Sequence, residues 1–130
     1  MRRIVRHVPE LAMVCLLLAG CASAPRVPSA TLDRLLGRLR CEHAALNNWD
    51  QAELARLAET CGPTVGDCER VLAEHEAQIL AAKVALATGY QAVRLAAETR
   101  RPHEAVAATA AEQATRLAVG RAGVDLGACP

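Results

Sequence analysis

The residues with most chemistry to offer in this chain are its cysteines and histidines. Of 130 residues, six are Cys and four are His, against one Trp, one Tyr and no Phe. Cys41, Cys61, Cys68 and Cys129 lie in the body of the chain. In an oxidising compartment an even set of this kind forms two disulfides, and three pairings are open. Cys61 and Cys68 flank a Gly-Pro turn, at the end of one expected helix and the start of the next, both on apolar faces. That placement favours a bridge across a helix–helix corner. Cys41 sits opposite the leucine stripe of its own helix and needs a partner from another element, which leaves Cys129 in the tail. Closing so long a loop contributes about 4–5 kcal/mol in the chain-entropy model.

The same residues make a poor metal centre. Cys41 and His43 point about 200° apart on a helix, so they share no ligand sphere. The Cys61-x6-Cys68 spacing is wider than a zinc knuckle, and no Cys-x-x-Cys-His occurs for haem attachment. His43 and His75 fall within apolar stripes, and His103 in the first turn of a helix. Nor does a catalytic set stand out: there is no Gly-x-Ser-x-Gly elbow, no His-Glu-x-x-His and no phosphate loop. The acids sit beside arginines or at helix starts, as on a solvated face, and no carboxylate pair is singled out by an apolar setting. We therefore expect no enzyme, no metal, no cofactor and no small-molecule substrate. A formal net charge of +1 with 2% aromatic residues likewise offers neither the basic field nor the stacking rings of a nucleic-acid binder.

The front of the chain has a different character. Arg2, Arg3 and Arg6 precede an apolar run from Leu11 to Ala19, followed by small residues. This is the layout of a secretory signal, and the run is too short to span a bilayer. Leu18-Ala19-Gly20-Cys21 resembles the lipobox of bacterial lipoproteins. The resemblance implies that the Cys21 thiol takes diacylglycerol, that residues 1–20 are removed, and that the new amino group is acylated. Several acyl chains, at about 0.8 kcal/mol per buried methylene, anchor where one would be marginal. Ala22 stands where inner-membrane lipoproteins of this kind carry Asp, which implies the periplasmic face of the outer membrane. Residues 21–30, with Pro25 and Pro28, form a lipidated tether. Residues 31–130 form the domain.

That domain is expected to be all-α. Residues 21–130 carry 12 basic and 13 acidic side chains and 26 alanines, a helix-forming composition without strand-like alternation. A first helix begins near Thr31, its stripe Leu32, Leu35, Leu36, Leu39, His43 and Leu46, and breaks at Asn47-Asn48-Trp49. Asp50 with Glu53 then caps a short second helix that buries Leu54, Leu57, Ala58 and Cys61. Asp67 caps a long third helix with His75, Ile79, Leu86, Tyr90 and Val93 on one face and Leu80, Val84 and Leu95 on a weaker second one. A fourth, about 103–120, presents Val106, Ala110, Ala114 and Leu117, and an irregular tail follows. The expected fold is thus a small disulfide-stapled bundle of about four helices.

Leu46-Asn47-Asn48-Trp49-Asp50-Gln51-Ala52 and Thr88-Gly89-Tyr90-Gln91-Ala92 resemble the inter-helix turns of degenerate tetratricopeptide repeats, which implies helical hairpins as an alternative. In architecture alone the chain is similar to the pilotins of type II secretion, small lipoproteins that hold a secretin segment in a helical groove. The expected function is a non-enzymatic binding or assembly module for another envelope protein. Trp49, His75 and Tyr90 are the candidate partner-binding residues. The alternative is a structural or stress-response lipoprotein without a specific groove. Cys21→Ser is expected to leave an uncleaved or soluble precursor that takes no label from radioactive palmitate; normal processing and membrane fractionation of the variant would refute the lipobox.

Overall fold

The computed structural model describes residues 25–62 and 64–130. The leader, the lipobox with Cys21, the first part of the tether and Pro63 lie outside the described residues. Three helices follow in order, α1 Ser29–Thr60, α2 Val65–Thr99 and α3 Pro102–Arg121, each packed against the other two. Among the described residues there is no strand, and no helix is long and apolar enough to cross a membrane.

The buried positions show the rule by which the helices pack. They are Leu32, Leu35, Leu39, Glu42 and Leu46 in α1, and Ala105, Ala108, Glu112, Thr115 and Val119 in α3. In α2 they are His75, Ile79, Ala82, Leu86, Gly89, Val93 and Ala96. Every step alternates between three and four residues, the seven-residue repeat of coiled-coil packing. Gly89 occupies the tightest layer: a Cβ there would stand 2.9 Å from Leu39 Cδ2 and 3.0 Å from Thr115 Oγ1. The Thr115 hydroxyl has the carbonyls of Ala85 and Ala111 as acceptors, each 2.9 Å away, so a polar side chain is satisfied in the core.

There are three helices rather than four. The Asn47-Asn48-Trp49 segment lies within α1, because the heptad runs through it from Leu46 to the half-buried Trp49 and Glu53. Asp50 does not cap a new helix; its carboxylate faces His75 across the hairpin. The segments that resemble repeat turns, Leu46–Ala52 and Thr88–Ala92, are likewise helix interior, which removes the tetratricopeptide alternative. At the start of α2 the cap is Thr64, whose hydroxyl accepts from the Asp67 backbone N–H, and Asp67 falls in the first turn. The helix ends on Arg100 in the left-handed region (φ 56°), a conformation that costs a non-glycine residue about 1–2 kcal/mol. There the Arg100 side chain donates to the Val27 carbonyl at 2.7 Å and its carbonyl accepts from the Val27 N–H at 3.1 Å. The end of the expected tether is therefore fixed to the base of the bundle.

The apolar faces also differ from expectation. His43 is exposed and Glu42 takes its place in the α1 stripe. On α3 the buried face is the small and polar one, while Val106 (70% exposed) and Leu117 (62%) point outward. Leu80, Val84 and Leu95, expected as a second packed face of α2, lie exposed on its outer side, with no element over them among the described residues. Close approach of backbones decides this: Ala, Gly and Thr at the seams bring the helices together, and bulkier side chains would hold them apart.

The tail after Arg121 is ordered against the bundle. Gly123, at φ 102°, passes beneath the Trp49 ring, and Gln78 donates to the Ala122 carbonyl at 2.8 Å. The chain then turns back along α1, buries Val124 and Cys129, and closes the Cys41–Cys129 disulfide. The second disulfide, Cys61–Cys68, joins α1 and α2 at the hairpin tip. By the loop lengths, Cys41→Ser/Cys129→Ser is expected to lower the unfolding free energy by about 4–5 kcal/mol and Cys61→Ser/Cys68→Ser by about 2 kcal/mol. Denaturant titration of the two double variants checks the order, and equal or reversed losses would contradict it.

Candidate functional site

Two arrangements of chemistry emerge from this packing. The first is a carboxyl pair that sequence reasoning missed. Glu42 in α1 and Glu112 in α3 are 0% and 2% exposed, and three of their four carboxylate oxygens are buried without a hydrogen-bond partner. Each faces an arginine from the other helix: Arg38 Nη1 lies 3.8 Å from Glu112 Oε2, and Arg116 Nη1 lies 3.8 Å from Glu42 Oε1. Both arginines are over 40% exposed, so their charge is partly spent on solvent. Arg116 is further shared with the tail carbonyls of Cys129 and Pro130, at 3.4 and 3.3 Å.

Burial, the Glu112 charge and the hydrogen bond a protonated Glu42 can make to Glu112 push the Glu42 carboxyl up to about 7, against the pull of Arg116 and Arg38. A proton held between the two carboxyl groups removes one of two like charges and gives an orphaned oxygen its hydrogen. The pair is closed to solvent. Its position was legible in one respect, since Glu42 and Glu112 each continue a heptad whose neighbours are apolar.

The second arrangement is the seam between α1 and α2 on the side away from α3. His43, Leu46, Asn47, Lys83, Leu86, Ala87 and Tyr90 line a hollow of about 250 Å³ there. The Tyr90 and His43 rings meet edge to face, 5.9 Å apart. Burial raises the Tyr90 hydroxyl above its ordinary value, while the charge of Arg40 nearby lowers it. Another hollow, about 330 Å³, lies against α3, lined by Ala105, Val106, Thr109, Ala110 and Gln113 without a charged group.

Of the three residues singled out for partner binding, Tyr90 lines the first hollow and His75 and Trp49 lie below it. His75 is buried, its Nε2 lies 2.6 Å from Asp50 Oδ1, and Trp49 stacks on its ring at 5.4 Å. Lys83 Nζ stands 3.6 Å from the other Asp50 oxygen. This layer closes the three-helix section. Among the described residues no group of three or more His, Cys, Asp or Glu is placed to hold a metal ion. No protein-family model, curated protein or solved structure matches the chain.

Below the Trp49 layer α1 and α2 continue without α3. From Asp50 to Glu74 no described residue is buried, and Leu54 (37%), Leu72 (39%) and Val65 (77%) remain exposed. A two-helix arm projects from the three-helix body, stapled at its tip by Cys61–Cys68.

The carboxyl pair carries a pH dependence of definite sign. Glu42 binds its proton more tightly in the fold than at the ordinary value of 4.5, so its stabilising contribution is whole below pH 4.5 and is lost as pH rises through about 7. Glu42→Gln, which keeps the shape and never ionises, is expected to match the parent near pH 5 and exceed it by about 1–3 kcal/mol at pH 8. Denaturant titrations across that range check it; a variant equally destabilised at both pH values would rule out the buried proton.

Proposed function

We propose that this chain is a lipoprotein of the bacterial outer membrane, anchored through Cys21 on the periplasmic face, that binds another envelope protein through its helices. The lipobox supports the anchor, and two disulfides fit an oxidising compartment. The observation that carries the binding role is the arm. Two amphipathic helices that leave the body together, with the described side chains between Asp50 and Glu74 at most half-buried, lack the third element their packing pattern calls for. In a monomer with no partner, a hairpin of this kind gains little from its length. A cysteine bridge at the tip keeps the two helices in register without a core, as a presenting surface requires. The role is similar in kind to that of the pilotins.

A photo-crosslinking residue placed at Leu54 or Leu72 in the native envelope is expected to give a discrete adduct with one envelope protein. The same residue at Ala114, on the outer side of α3, is expected to give none. Adducts at no position, or equally at all three, would favour a structural lipoprotein without a groove.

A further inference from the structure

The edges of the α1/α2 groove carry a charge order that names its occupant more closely, on the reading that the chain binds a partner. Along α2, Glu69, Glu76, Lys83 and Tyr90 recur every seven residues and so form one edge. Along α1, Arg40, Asn47, Leu54 and Cys61 do the same. Lys83, Tyr90 and Asn47 line the hollow in the body, and Cys61 closes the tip. The two columns run side by side from the Tyr90 level to the tip, and the hollow opens between them in the body.

Apolar side chains lie between and along these columns, Leu46 and Leu86 in the body, Leu72 on the arm and Leu54 on the α1 edge, with Asp50 interrupting them where it meets His75 and Lys83. The rims are not uniform. At the arm stand Glu69 and Glu76, exposed and with no cationic partner among the described residues. At the body end stand Arg40, also exposed and without an acidic partner among them, and Lys83, 3.6 Å from an Asp50 already engaged with His75. The span from Glu69 to Tyr90 is about 30 Å at 1.5 Å per residue.

We infer that this groove seats one amphipathic helix of the partner protein, about 30 Å long, with basic side chains at its arm end and acidic ones at its body end. An apolar stripe on that helix covers Leu54, Leu72 and the hollow beside Tyr90. Glu69 and Glu76 pair with its basic end, and Arg40 and Lys83 with its acidic end. A second copy of this chain is the competing occupant.

The test uses the full protein purified from membranes in detergent and three synthetic helical peptides of about 20 residues with the same apolar stripe. One peptide carries Lys on one half and Glu on the other, one Lys throughout, and one Glu throughout. By fluorescence anisotropy the bipolar peptide is expected to bind about tenfold tighter than either uniform one, with the preference shrinking as salt rises. Glu69→Lys/Glu76→Lys, on exposed positions that leave the fold intact by circular dichroism, is expected to transfer the preference to the all-Glu peptide. Equal affinities, no binding, or an unchanged order in that variant would overturn the inference. So would a dimer in sedimentation that the same variant dissolves, since a second copy would then hold the groove. Adducts at Leu54 and Leu72 in cells alongside indifferent peptides would remove the bipolar helix while leaving the partner-binding proposal in place.

Discussion

The return of the C-terminal tail along α1, locked by Cys41–Cys129, is the constraint on which most of the architecture depends. With 20 residues against 32 and 35, α3 is too short to accompany α1 and α2 to their ends. Something must close the body where α3 stops. Gly123 does so by passing under Trp49 in a conformation that strains residues with a side chain. The bridge then holds the returning chain beside Glu42, where Arg116 spans Glu42 and the last two carbonyls. Without the tail, Trp49 would lose its cover and the arm its sharp beginning.

Two glutamates at heptad core positions run against the usual logic of such bundles. Burying an ionised carboxylate is costly, and an arginine at 3.8 Å with nearly half its surface in water returns only part of that cost. Leucines at both sites would give a drier seam. What the carboxyl pair adds is a fixed register between α1 and α3, because only one alignment sets each glutamate opposite the arginine of the other helix. With alanine filling much of the α3 face, apolar packing alone distinguishes poorly between neighbouring registers.

Much of this was legible in the residues. The all-α class, the long α2 running through Gly89 and the corner at Cys61–Cys68 follow from composition, periodicity and turn chemistry. The missed features share one physical cause. A stripe drawn through the most apolar side chains assumes that hydrophobicity decides what is buried. Here closeness of approach decides it, so that Gly89, Thr115 and Glu112 go inside while Val106 and Leu117 stay out. The Asn47-Asn48-Trp49 segment misled for a related reason. Its propensity favours a break, but Leu46, Trp49 and Asp50 all find partners only if the helix continues. The groove edges could be read as seven-residue columns only after the period was known to be seven rather than 3.6.

The two bonds between Val27 and Arg100, one backbone to backbone and one from the Arg100 side chain, have a geometric consequence for a chain held, as proposed, at Cys21. Five residues lie between Cys21 and Val27, at most about 20 Å of extended chain from one to the other. The docking point lies at the base of the bundle, and α1 leaves it for 32 residues, about 48 Å. On the proposed anchor, the base would stay near the lipid, and the stapled tip could reach some 50–70 Å from the point of attachment. A molecule built this way is a boom on a short leash. So anchored, it would sample the space above its own patch of membrane, with the length of the two long helices setting the height at which it meets a partner.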